Sequence, residues 1–194
     1  MKYDTLIRQA LVIDGSNTPG YIADVGVHAG RIRTIGDLST AQAEQVIDAH
    51  GRVLAPGFID VHTHDDTVVI RQPQMLPKLS QGVTTVIVGN CGISAAPVSL
   101  RSDPPDPMNL LGTREAFSYP RFADYRAAVQ RACPAVNVAA LIGHTALRSN
   151  HMDDLHRTAT PYEIAAMRVQ LQESLEAGAL GLSTGLAYAS AFYA

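Results

Sequence analysis

Cysteine is scarce: the 194 residues contain two, Cys91 and Cys133. That excludes a disulfide-built scaffold and makes a reducing, cytoplasmic setting the expectation. No stretch approaches the roughly 18 consecutive apolar residues that a membrane-spanning helix needs, so no membrane partner is expected. Met1-Lys2-Tyr3-Asp4 runs straight into a mixed polar segment, without the apolar stretch and small-residue cleavage site of a secretory leader. Positive charge is lacking too. Fifteen Lys and Arg against 18 Asp and Glu leave a formal net charge of −3 with no basic stripe, so no nucleic-acid partner is expected.

What is present is an ordinary globular composition, 46% hydrophobic and 17% charged, on a chain long enough for a sizeable core. Residues 1–54 read as a small β domain. Short runs at Leu6-Ile7, Leu11-Val12-Ile13, Ile22 to Val27, Arg31 to Ile35 and Val46-Ile47-Asp48 are broken by Asp14-Gly15, Pro19-Gly20 and His50-Gly51. Residues 55–194 change character. Apolar, β-rich runs recur at Gly57 to Val61, Val83 to Val88, Val136 to Ile142 and Leu180 to Leu182, with helical or irregular segments between. Such runs imply strands buried on both faces, as in a parallel sheet covered by helices. Thr160-Pro161-Tyr162-Glu163 forms a capping box ahead of a helix whose apolar face is Ile164, Met167, Leu171 and Leu175, with Gly178 at its stop. A second helix is expected over Phe122 to Ala132, with Phe122, Tyr125 and Val129 on one face. Residues 92–120 form a long proline-rich loop, expected to be functional or disordered.

Chemistry concentrates where strands end. In Ala55-Pro56-Gly57-Phe58-Ile59-Asp60-Val61-His62-Thr63-His64, residues two apart on a strand share a face, so His62 and His64 would project together. Paired neutral imidazoles make a ready metal clip, but a short His-x-His is also compatible with two turn histidines. Val88-Gly89-Asn90-Cys91-Gly92 would turn sharply and expose a thiol, either a zinc ligand or a small core cysteine. Cys133, at a helix end, reads as packing. His144 closes the third strand run, and a structural role is favoured over metal or substrate binding. Arg148 offers a guanidinium for a substrate carboxylate, or else a loop-fixing arginine. His28, His50, His151 and His156 fall in turns or polar loops and read as solvated. Asp60, Asp65 and Asp66 lie beside the histidine pair, and none is promoted to general base.

At these residues a family comes into view. The segment Ala55 to His64 resembles the signature that opens the first barrel strand of the amidohydrolase superfamily, and the preceding β segment looks like that superfamily's N-terminal domain. Gly82 to Gly92, Gly143-His144-Thr145-Ala146-Leu147-Arg148, and Gly178 to Tyr188 together resemble the N-acyl-D-amino-acid deacylase (D-aminoacylase) family across essentially the whole chain. The resemblance implies an α/β fold: the N-terminal part of a TIM-type (β/α)8 barrel, with about four strands present, after the small β domain. It implies one or two zinc ions held by His62, His64 and Cys91, with Tyr188 near the substrate; Arg148 joins Tyr188 as a candidate substrate contact on the chemistry of its guanidinium alone. The implied reaction is metal-assisted hydrolysis of a linear amide in a small-molecule N-acyl-D-amino acid, releasing a carboxylate and a D-amino acid.

A full barrel needs about 250 residues and eight strands. The family's other metal ligands and its general base come from later strands, so no catalytic residue is assigned within this chain. The expectation is therefore a fragment, poorly soluble and inactive alone. Two alternatives stay open: another amidohydrolase, such as a cyclic amidase or an N-acetyl-sugar deacetylase, and a non-catalytic metal-binding fragment.

Overall fold

In the computed structural model, which describes residues 2–194, the chain separates into two units, one ending at Pro56 and the other beginning at Gly57. The first unit holds β1 (Tyr3–Val12), β2 (Tyr21–His28), β3 (Arg31–Gly36), β4 (Ala43–Asp48) and β5 (Val53–Leu54). They form one sheet in the order β3-β2-β1-β4, with β5 also beside β1. The two short runs expected near Leu6 and Leu11 are a single ten-residue strand. What interrupts the pattern is a bulge: Gln9 has φ 52°, and the pairing with β2 shifts between Ile7 and Ala10. The displaced Gln9 N–H donates to Asp24 Oδ1 at 2.9 Å. A bulge resets the inward-facing alternation, so one strand reads as two. The core here is small, built on Ala10, Val12, Val25 and Ala49.

The second unit carries β6 (Phe58–Asp60), α1 (Val68–Arg71), α2 (Leu76–Leu79), β7 (Val83–Val88), α3 (Phe122–Ala132), β8 (Asn137–Gly143), α4 (His144–His151), α5 (Pro161–Glu176) and β9 (Gly181–Ser183). The strands pair in parallel in sequence order, β6-β7-β8-β9. Helices fill every crossover, which is the opening half of a TIM-type barrel. Val86 and Val88 alternate inward on β7, as do Ala140 and Ile142 on β8. They cluster with Phe122 and Tyr125 of α3, Leu147 of α4 and Met167 of α5. Each large apolar side chain so buried contributes about 1.5–3 kcal/mol.

Burial on both sheet faces is not found. Phe58, Ile59 and Leu182 remain largely exposed. All three lie on β6 and β9, the two edges of the four-stranded sheet, each with a neighbouring strand on one side only.

The capping box of α5 forms: Thr160 Oγ1 accepts from the Glu163 N–H, and the Glu163 carboxylate accepts from the Thr160 N–H. Its apolar face is narrower than expected. Met167 is buried and Leu171 packs against the core, whereas Ile164 and Leu175 stay partly exposed at the flank of that face. Helix α3 buries Phe122 and Tyr125 with Val129 beside them. It ends on Cys133 in the left-handed conformation, φ 49°, with the side chain exposed rather than packed.

Residues 92–120 are not a structureless loop. Ile93, Val98, Met108, Leu111 and Phe117 gather with Ala146 into a second core, around two short 3-10 turns at Met108–Leu111 and Arg114–Ala116. Among the described residues, no helix is long and apolar enough to cross a membrane.

Candidate metal centre

β6 stops at Asp60, so His62 and His64 follow the strand rather than lying on it. They nevertheless converge, their rings meeting edge to face with centroids 5.8 Å apart. A side-chain turn helps to place them: Asp60 Oδ1 accepts from the His62 N–H at 3.2 Å. Cys91 arrives from the end of the neighbouring strand β7, and His62 Nε2 lies 2.8 Å from its Sγ. One ligand atom from each of His62, His64 and Cys91 falls within 4.8 Å of the others.

The turn that presents Cys91 demands its glycines. Cys91 itself has φ 57°, and Gly89 and Gly92 flank it at φ 79° and 78°. A Cβ on Gly89 would stand 2.1 Å from the Leu141 carbonyl oxygen, and one on Gly185 would stand 2.5 Å from the Cys91 carbonyl oxygen. The Gly92 N–H donates to Ser183 Oγ at 3.0 Å, and the Ser183 hydroxyl donates to the Gly89 carbonyl. Thus the Asn90-Cys91-Gly92 turn and the Ser183-Thr184-Gly185 segment are in backbone contact, closer than any side chain allows. That is a physical reason for the two motifs to occur together.

Burial, with the neighbouring His62 adding, holds the His64 pKa below its ordinary value and favours the neutral imidazole. Its Nδ1 is buried and has no hydrogen-bond partner. A buried nitrogen left unmatched is costly, and a cation would satisfy it. Two imidazoles and a thiol are a donor set that suits zinc. The residues therefore fit the metal that the sequence pattern implies.

Tyr188 is half-buried over this turn, with its ring 2.6 Å from where a Gly185 Cβ would stand. The charge of Cys91 pushes the phenol pKa up, with burial and a hydrogen bond to Cys91 adding to it. His144 opens α4, and its Nδ1 lies 3.1 Å from Thr184 Oγ1. Burial pulls its pKa down, with the Arg148 charge adding.

Arg148 borders a cavity beside His144 and Leu182 but is itself almost fully covered. It is 1% exposed, and its Nε donates to the Ser190 carbonyl at 3.0 Å. One terminal nitrogen donates to the carbonyls of Leu155 and Arg157, each at 2.9 Å. These bonds match the loop-fixing reading rather than the carboxylate clamp.

Of the other histidines, two are held by side-chain contacts and two are solvated. His28 Nδ1 lies 2.9 Å from Asp4 Oδ1, and His151 Nε2 lies 2.9 Å from Gln170 Oε1. His50 and His156 are exposed.

None of the three aspartates beside the site is free. Asp60 and Asp65 both pair with Lys78. Asp66 is buried, and its carboxylate accepts from the N–H groups of Gly89 and Ala95. Burial pushes its pKa up to about 6 against the pull of those bonds. Lys78, Ser183 and Gly185 went unread in the sequence as parts of the site. Only the Ser-Thr-Gly pattern carried a signal for two of them.

Residues 45–194 match the model of the family described as "Amidohydrolase family". Over 186 residues the chain is 51% identical to a D-aminoacylase of Alcaligenes xylosoxydans xylosoxydans, covering 96% of this chain and 38% of that protein. A solved D-aminoacylase, described for the functional role of its binuclear metal centre, superposes with a TM-score of 0.95 at 48% identity, covering 98% of this chain and 40% of the other. An N-acyl-D-glutamate deacylase of Bordetella bronchiseptica superposes at 0.91 and 46% identity, covering 97% and 39%. It was solved with zinc and a phosphonate inhibitor that mimics the reaction's tetrahedral intermediate. The chain thus spans about two fifths of the length of the proteins it matches.

Proposed function

The chain belongs to the amidohydrolase family, and from that premise we propose that the full-length protein hydrolyses the linear amide bond of N-acyl-D-amino acids, using zinc held in part by His62, His64 and Cys91. The observation that carries this reading is the thiol of Cys91 at the end of β7, set against two imidazoles from the end of β6. The similarity to deacylases of N-acyl-D-amino acids supports the substrate class.

Zinc bound there would polarise an amide carbonyl and lower the pKa of a water molecule toward about 7. The chain's own part is positional. The Gly89–Gly92 turn fixes the thiol, the half-buried His64 stays neutral and able to donate a lone pair, and Tyr188 stands over the turn where a substrate can approach. Within residues 57–194 the nearby carboxyls are either paired with Lys78 or buried against backbone amides, so none is assigned as general base. That proton-transfer role is assigned to the part of the protein beyond this chain, which alone is expected to be inactive.

The test is a panel of zinc-loaded full-length protein against N-acyl-D-amino acids, their L-enantiomers, cyclic amides and N-acetyl sugars. Turnover confined to the D-series supports the proposal. Preferential turnover of the cyclic amides or sugars would replace it with another amidohydrolase activity. Zinc uptake with no turnover of any amide would leave only a metal-binding protein.

A further inference from the structure

We propose that Lys78 is the positioning residue of the metal centre: its ammonium pins the segment from Asp60 to Asp65 so that His62 and His64 present their rings together toward Cys91. The inference rests on the metal-centre reading above.

The need for such a residue follows from the strand boundary. Because β6 ends at Asp60, the sheet's hydrogen-bond ladder does not reach either histidine. Lys78 supplies the missing restraint. Its Nζ lies 2.6 Å from Asp60 Oδ2, 3.1 Å from Thr63 Oγ1 and 3.0 Å from Asp65 Oδ2. An ammonium has three N–H donors, and here there are three oxygens for them.

Each oxygen partner is tied onward. The second oxygen of Asp60 accepts from the His62 N–H, and the Thr63 hydroxyl donates to Asp65 at 2.6 Å. The contacts therefore fall at 60, 63 and 65, bracketing both imidazoles. The side chains of Lys78, Asp60 and Asp65 are 22%, 27% and 19% exposed, so salt screens this cluster less than it would a surface pair.

The helix that carries Lys78 is itself anchored to the strand it serves. Met75, buried and in the left-handed conformation, starts α2. The turn after α2 offers the Gly82 carbonyl to the Phe58 N–H of β6 at 2.8 Å. A backbone hydrogen bond thus ties the segment that carries the clamp to the strand it serves. Without the ammonium, two carboxylates five residues apart would lose their common counter-charge, and the histidine segment would lose the restraint that makes its rings converge.

The experiment is cobalt(II) titration of the intact, metal-free protein, following the thiolate-to-cobalt charge-transfer band that reports Cys91 as a ligand. The unmodified protein should develop that band, and Cys91→Ser should not. Lys78→Met, which keeps the apolar stem, should weaken cobalt affinity about 10- to 100-fold, the range seen when an outer partner of a metal ligand is removed. Lys78→Arg should recover part of that loss by restoring the charge. Thermal melting of the metal-free variants separates lost positioning from lost folding. Should Lys78→Met not fold, Thr63→Val removes one oxygen of the cluster and carries the same test. Cobalt binding by the foldable variant with unmodified affinity overturns the proposal. Absence of the band in the unmodified protein overturns the metal reading, and the role of Lys78 falls with it.

Discussion

His62 Nε2 and Cys91 Sγ lie 2.8 Å apart across 29 residues of chain. The contact exists because β6 and β7 are parallel neighbours, which brings their C-terminal ends to the same edge of the sheet. Ligands from separate strands can therefore meet with no long connection between them, the arrangement that barrels of this kind use at their catalytic face.

If Cys91 is a metal ligand, Cys91→Ser should lower zinc affinity about 100-fold or more, at or beyond the top of the range for outer partners. Competition with a chromophoric chelator measures this. Cys133→Ser is the internal control: that thiol is exposed at the end of α3 and should leave affinity unchanged. Equal effects from both variants would remove Cys91 from the site.

Gly89→Ala should be among the most damaging small substitutions in the chain. The new Cβ meets the Leu141 carbonyl oxygen at 2.1 Å, and the backbone at φ 79° already disfavours a side chain. Strain and overpacking together predict a loss of about 3 kcal/mol or more by urea denaturation. Gly15 has the same backbone conformation, φ 81°, with nothing within 4 Å of a Cβ. Gly15→Ala should cost only the conformational part, about 1–2 kcal/mol.

What could be read in advance follows a physical line. The four strand runs, the capped α5 and the pairing of His62 with His64 were legible because each is written in adjacent residues. The motif around Cys91 was legible for the same reason. The Lys78 cluster was not, since its partners lie 13 to 18 residues away with no periodicity joining them. Nor was the bulge at Gln9, which looks like a break between strands. For Arg148 the sequence left both a substrate clamp and a loop-fixing role open, because nothing local reveals that loop carbonyls surround it. Phe58 and Ile59 are exposed on an edge strand, and no local pattern reports which strand takes the edge of a sheet.

The start of α5 should make stability acid-sensitive. Glu163 accepts from Arg157 and from the Thr160 N–H, and the Arg157 guanidinium holds its pKa down at about 2. Its folded value lies below its unfolded one, so its contribution is present in full above about pH 4.5 and is lost as the pH falls toward 2. The melting temperatures of the unmodified protein and Glu163→Gln should therefore differ at pH 7 and converge near pH 2. Thr160→Ala, which removes the other half of the capping box, should cost about 1 kcal/mol. A constant difference across that pH range would exclude ionised Glu163 as the source.

Arg148 separates a structural role from a substrate role in one variant. Its guanidinium reaches the carbonyls of Leu155, Arg157 and Ser190 from a single buried position. The lysine of Arg148→Lys places its donors at a single point, whereas these carbonyls are reached from two separate positions, Nε and a terminal nitrogen, so it cannot keep all three bonds. Each buried carbonyl left without a partner costs about 1–3 kcal/mol. Arg148→Lys should thus lower the unfolding free energy of the intact protein by about 2–4 kcal/mol in urea, while KM for an N-acyl-D-amino acid changes little in the molecules that stay folded. Unchanged stability with a raised KM would reverse the assignment and make Arg148 the carboxylate clamp, because only a lost substrate contact weakens binding without loosening the loops.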